Sequence, residues 1–314
     1  MTPTAFGNGN GAHPPTPRHH ARPIGAQVLL LTPFTEDGEV DERSLASLVD
    51  YIIDGGVDGI IGLGTTGEFF TMSVEEQAAL MTTLTKIVAG RLPITFGVGN
   101  SATSVSVALA KHAQALGAEG VMVQPPYYFD HTVASVEAHF AAVASAIDLP
   151  VMPYDGGGGI ELSVERVRRL HEQSPNVRYV KMSIVDPAKV AAMRAGAPEV
   201  EVLVGDENML LMGLRHGAIG SSVGWSNVDP SAISRVHRHF EGGDLEGART
   251  VLLREVVPGV SPCITAKNGW IRSYKEILFA KGVIASPATR LPLTPLDPIR
   301  REEVLAAMRE LAIV

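Results

Sequence analysis

The chain contains one cysteine, Cys263, so it cannot close an intrachain disulfide, build a zinc-thiolate site from cysteines or run a dithiol redox cycle. Long apolar runs are missing as well. The continuous ones, such as 28–31, fall far short of the roughly 20 residues that cross a bilayer, and no membrane span is expected. Blocks of like charge are absent, and 26 Lys and Arg against 34 Asp and Glu leave a net charge of −8, which argues against nucleic acid as a partner. The first residues lack the basic start and apolar stretch of a secretory leader; 1–23 are rich in Gly, Pro, Asn and His and read as a flexible tail. The cytoplasm is the default compartment. The ten histidines are scattered without metal-ligand spacing, so neither a metal nor a cofactor is expected. Aromatics are scarce at 5%, while Ala, Gly, Val and Leu abound, a balance suited to small-residue packing of helices on a parallel sheet.

What the chain does contain is a repeating alternation. Eight short apolar runs, at 27–31, 59–63, 94–98, 120–123, 150–153, 178–181, 201–204 and 218–223, are continuous rather than alternating, as in strands buried on both faces. Helical stretches separate them. The first begins after Asp41, carries a stripe of Leu45, Leu48, Val49 and Ile52, and ends at Gly55-Gly56. Ser73-Val-Glu-Glu76 has the form of a capping box, and 101–116 forms the third helix. Eight βα units closing on themselves predict an α/β fold of the (β/α)8 TIM barrel type over 24–228, in a length that suits a barrel core of roughly 250 residues. Residues 229–314 exceed one barrel helix and predict the last barrel helix plus a C-terminal helical extension, with helices at 231–241, 245–256, 270–281 and 300–311.

In such barrels the chemistry sits at the C-terminal ends of the strands. Four ends carry polar groups that a packed core does not require: Gly64-Thr65-Thr66-Gly67-Glu68, Pro125-Pro-Tyr127-Tyr128, Tyr154-Asp155 followed by Gly156 through Gly159, and Tyr179-Val180-Lys181. A lysine closing an apolar strand places its amine in the barrel mouth, where desolvation lowers its pKa toward the neutral form that attacks carbonyls. The bland reading of Lys181 is a side chain snorkelling out of the rim. Lys86, Lys111, Lys189, Lys267, Lys275 and Lys281 lie among polar neighbours and are expected at the solvated surface. Thr65 and Thr66 offer hydroxyls and backbone N–H groups to a carboxylate, or form an ordinary glycine-rich turn. Glu68 reads as a first-turn helix residue or a brace. Tyr154, one strand from Lys181, is placed to shuttle protons, or is a core tyrosine with a satisfied hydroxyl.

Together with Leu31-Thr-Pro-Phe34, Gly55-Gly-Val-Asp-Gly59, Gly97-Val-Gly99 and Gly205-Asp206, these motifs resemble, in order and over nearly the whole chain from Ile24, the dihydrodipicolinate synthase and N-acetylneuraminate lyase family of Schiff-base class I aldolases. The resemblance implies that Lys181 forms an imine with pyruvate or another 2-oxo acid and that Tyr154 relays protons. It also implies that Thr65 connects Tyr154 to Tyr128 across a subunit contact in a homo-oligomer, a tetramer or a dimer. Thr66, Gly67 and a backbone group around Ser222 would hold the 2-oxo acid carboxylate. The chain departs from the synthase pattern in two places: no arginine follows Tyr154 to bind a second carboxylate, and Lys181 is followed by Met182-Ser183-Ile184 where an acidic residue is usual. Asp155 beside the glycine loop is expected to repel such a carboxylate. The reading is therefore a lyase joining or splitting a 2-oxo acid and an aldehyde. A dehydratase of a 2-keto-3-deoxy sugar acid using the same imine, and an inactive barrel serving as a ligand sensor or scaffold, are the alternatives.

Overall fold

The computed structural model describes residues 25–128, 130–156, 161–183, 186–264 and 269–314. The tail expected over 1–23, and Gly157, Gly158, Gly159 and Ile184, lie outside the described residues. Eight parallel strands close into a barrel in chain order: β1 (Gly25–Leu29), β2 (Gly59–Gly62), β3 (Ile94–Gly97), β4 (Gly120–Val123), β5 (Val151–Asp155), β6 (Tyr179–Met182), β7 (Glu201–Val204) and β8 (Gly220–Val223). Around it run α1 (Glu42–Asp54), α2 (Val74–Val88), α3 (Thr103–Ala115), α4 (Val133–Ala144), α5 (Val164–Gln173), α6 (Pro187–Gly196), α7 (Leu210–Arg215) and α8 (Pro230–Glu241). The chain continues through α9 (Leu245–Val251), a π-helical turn at Leu252–Val256, α10 (Val257–Ile264), α11 (Gly269–Ala280) and α12 (Pro298–Glu310). Among the described residues, no helix is long and apolar enough to cross a membrane.

Local chemistry starts the helices where expected. Asp41 accepts the Ser44 amide at the head of α1, and Ser73 with Glu76 forms a reciprocal capping box on α2. The first strand ends two residues before the apolar run does. Asn227 explains the early exit: its Oδ1 accepts the Leu31 amide and its Nδ2 donates to the Leu29 carbonyl, so a side chain replaces the ladder.

Strand parity divides the apolar residues into two layers. Val28, Ile60, Phe96, Val121, Val151, Val180 and Val202 face outward into the main core shared with the helices. Leu29, Ile61, Met122, Met152, Tyr179 and Leu203 face inward and plug the barrel. One inward step above that plug come Gln124 on the end of β4, Tyr154 on β5 and Lys181 on β6. The plug is thus the floor on which the site stands.

The C-terminal helices share the main core rather than standing apart, since Val260, Cys263, Ile271, Tyr274 and Ile277 are buried in the same cluster as the barrel's outer face.

Candidate active site

Above the plug opens a cavity of about 470 Å³, within the usual size of a small-molecule site. Lys181 projects into it with only 3% of its surface exposed. Burial pushes its amine down from 10.5 to about 8, against the opposing pull of the Glu207 carboxylate. At pH 7 roughly a tenth of such an amine is neutral, against about one part in 3,000 for an ordinary lysine. Gly205 makes the room: a Cβ there would come within 2.7 Å of Lys181 Cε.

Tyr154 pairs directly with Lys181 across β5 and β6, and Lys181 Nζ lies 4.6 Å from the centre of its ring. Burial raises the phenol's pKa, offset in part by a hydrogen bond with the Ser183 side chain, so Tyr154 holds its proton near neutrality and can donate it. Ser183 in turn donates to the Gly205 carbonyl at 3.0 Å. The neutral replacement for the usual acidic residue after Lys181 therefore becomes a hydroxyl partner of the phenol.

The strand-two turn faces Lys181 from across the cavity. Leu63 and Glu68 bracket it, both at φ 58°, a left-handed conformation that costs a side-chain-bearing residue and is typically held by its surroundings at functional sites. Thr65 and Thr66 line the cavity, and the buried Thr66 hydroxyl has no hydrogen-bond partner among the described residues. The Gly67 and Glu68 amides are taken by the Gly64 and Thr65 carbonyls at 3.0 Å each. Gly67 thus shapes the turn, with its own N–H engaged there.

Glu68 is the turn's anchor. It is fully buried, its Oε1 lies 2.5 Å from Lys275 Nζ, and its Oε2 accepts the Arg290 amide. Lys275, expected at the surface, is also fully buried. It donates to the Ala288 carbonyl at 2.8 Å and sits 4.3 Å from the centre of the Phe34 ring. A single stripe of helical periodicity cannot announce this, because the partner carboxylate lies some two hundred residues away in the sequence. Lys189 is likewise drawn from the surface, and it corrects the expectation for Asp155: that carboxylate, 3% exposed, is bonded to Lys189 at 2.6 Å and accepts the Leu162 amide. A neutralised, inward-tied Asp155 exerts little repulsion on a ligand.

The other expected residues fall outside the cavity wall. Ser222 is fully buried on β8, does not line the cavity, and its hydroxyl has no partner among the described residues. Tyr128 is 94% exposed, while its neighbour Tyr127 lines the mouth and packs edge-on against Phe69. Sequence reading missed several further parts of the wall. Glu207, just after β7, is half-buried beside Lys181 and accepts the Trp225 amide at 2.8 Å; desolvation raises its pKa. Its position at a strand end was the available signal. Trp270 and Tyr274 reach the cavity from α11, and Ile264 from α10, which no strand-end rule could locate.

A (β/α)8 barrel whose mouth buries a lysine of lowered pKa against a tyrosine defines a Schiff-base class I lyase. The chain belongs to the Dihydrodipicolinate synthetase family, whose model matches residues 23–311. It is 34% identical over 299 residues, 91% of this chain and 95% of the relative, to the 4-hydroxy-tetrahydrodipicolinate synthase of Sorangium cellulosum. Among solved structures it is similar to YagE of E. coli K12, a prophage protein of the dihydrodipicolinic acid synthase family in complex with pyruvate. There the TM-score is 0.87 at 27% identity, covering 93% of this chain and 99% of the other. It is also similar to a monomeric dihydrodipicolinate synthase variant, with a TM-score of 0.85 at 28% identity over 93% and 97% of the two chains.

Proposed function

We propose that Lys181 forms the imine and that the enzyme joins or splits pyruvate, or a close 2-oxo acid, and an aldehyde. The observation that carries this reading is the Lys181 amine, buried, depressed to about 8 and opening on the cavity beside Tyr154. The neutral amine attacks the keto carbon. The carbinolamine hydroxyl leaves as water on protonation by Tyr154, and loss of a proton from the adjacent carbon gives the enamine that adds to the aldehyde. Thr66, with the Thr65 and Thr66 amides, receives the 2-oxo acid carboxylate. Borohydride with pyruvate, followed by peptide mass analysis, tests the assignment: a reduced adduct is expected on Lys181, and an adduct on another lysine, or none with any 2-oxo acid, refutes it.

The aldehyde is not one that ends in a carboxylate, such as aspartate semialdehyde. Lys189 is occupied by Asp155 and Glu161, and the described cavity wall contains no arginine to meet a second carboxylate. A kcat/KM with aspartate semialdehyde above that for neutral aldehydes would overturn this. The enzyme works as a homo-oligomer, a tetramer or a dimer, in which Tyr128 and the exposed Phe70 are covered by another copy and Tyr128 completes the link from Thr65 to Tyr154. Light scattering that returns the 33.3 kDa chain mass at working concentration rules it out.

A further inference from the structure

Gln124 is a polar residue of the cavity that this mechanism leaves without a task. It follows β4, one strand from Tyr154, as Tyr154 is one strand from Lys181; the pairing of Val123 with Pro153 sets Gln124 level with Tyr154. It is 6% exposed, lines the cavity, and neither its Nε2 nor its Oε1 has a hydrogen-bond partner among the described residues. The fold makes space for it. A Cβ on Gly99, at the corresponding level beyond β3, would lie 2.1 Å from Gln124 Oε1, so only glycine lets the amide occupy that place. A buried amide with two donors and an acceptor unmatched is retained against a cost that Leu or Met at the same position would avoid.

We propose that Gln124 determines specificity for the aldehyde component, its amide hydrogen-bonding a neutral oxygen, a hydroxyl or carbonyl, near the new carbon-carbon bond. Two features direct it to this component. The carboxylate end is served by the strand-two turn and the imine by Lys181, whereas Gln124 stands at the end of β4, two strands from each. A neutral amide also suits a hydroxyl, which both gives and accepts a proton, better than a carboxylate, which would demand a cation in so buried a place. The inference rests on the imine reading above.

The experiment uses Gln124→Met, which keeps the side-chain volume, and Gln124→Leu as a second apolar variant, with circular dichroism as the check of folding. Borohydride trapping with pyruvate is expected to be as fast and complete as in the wild type. Condensation with pyruvate is then compared for aldehydes of matched length, glyceraldehyde and butanal. The ratio of their kcat/KM values should fall roughly ten- to a hundredfold in the folded variant, through loss on glyceraldehyde alone, as expected when a polar substrate group loses its partner. An unchanged ratio, or an equal loss on both aldehydes, overturns the proposal. Slower trapping with pyruvate would move Gln124 to the 2-oxo acid and overturn it too. Absence of trapping in the wild type would remove the imine reading and this one with it, whereas normal trapping with an unchanged ratio removes only this one.

Discussion

Replacing Lys181 by Met should abolish turnover and at the same time stabilise the protein. The magnitude follows from the displaced pKa. An amine moved from 10.5 to about 8 has its charged form penalised by about 3 kcal/mol relative to the unfolded chain, a figure already net of the attraction of Glu207. Below pH 8 the lysine is protonated in both states and the full penalty burdens the native one. Between pH 8 and 10.5 the unfolded chain holds a proton that the native protein has released, so wild-type stability rises with pH across that window. Methionine, similar in length, carries no such penalty and packs against the apolar plug. The variant should therefore melt about 5–10 °C above the wild type at pH 7, and the gap should narrow as pH is raised from 8 toward 10. Thermal scans of both proteins at one concentration, at pH 7 and pH 10, measure it. A Lys181→Met protein that melts below the wild type at pH 7, or a gap unaffected by pH, would contradict the view of Lys181 as a desolvated amine.

Two other perturbations probe the neighbours. Tyr154→Phe should lower kcat by roughly 10²–10⁴-fold, the usual worth of a positioned acid-base group, while pyruvate still ends on Lys181 in long trapping incubations; activity within a few-fold of wild type would remove the phenol from the proton path. Lys275→Met strands the Glu68 carboxylate and should cost about 3–5 kcal/mol in urea unfolding, with a weakened grip on pyruvate through the displaced Thr65-Thr66 turn, whereas the Glu68→Gln, Lys275→Met pair should recover most of the stability. Equal losses in the single and double variants would show that the pair does not act as a unit.

Barrel closure was legible because parallel strands buried on both faces leave continuous apolar runs, and helix starts were legible because Asp41 and Ser73 satisfy amides within their own turn. Lys181 stood out as a charge at the end of such a run. The residues that escaped have in common that their surroundings come from distant segments. Lys275 looks like an exposed helical lysine until the turn carrying Glu68 is folded against α11. Trp270 and Tyr274 look like the apolar stripe of an outlying helix, yet they form cavity wall. Gln124 directly follows an apolar run, and whether it turns inward or outward depends on a register that pairing with β5 establishes. The position of Tyr128, 94% exposed on this chain, is not a property of one chain's sequence if its place is in another copy.

The two buried lysines separate structure from chemistry more sharply than their proton affinities do. Both amines are pushed down to about 8 by burial, so the displaced pKa by itself selects neither. Lys275 has its charge answered by Glu68 at 2.5 Å, a carbonyl at 2.8 Å and the face of Phe34, and it takes no part in lining the cavity. Lys181 forms no ion pair among the described residues, and its approach is open from the cavity. The same distinction runs through the rest of the rim. Asp155 and Glu68 are buried and partnered, and each fastens a loop. Thr66 and Gln124 are buried, their hydroxyl and amide have no partner among the described residues, and both residues line the cavity that holds Lys181. Because an unmatched buried polar group is a standing cost to the fold, a cluster of them around one open amine is what a site built to be completed by its substrate would retain, and a barrel kept only as a scaffold would have no reason to hold them together.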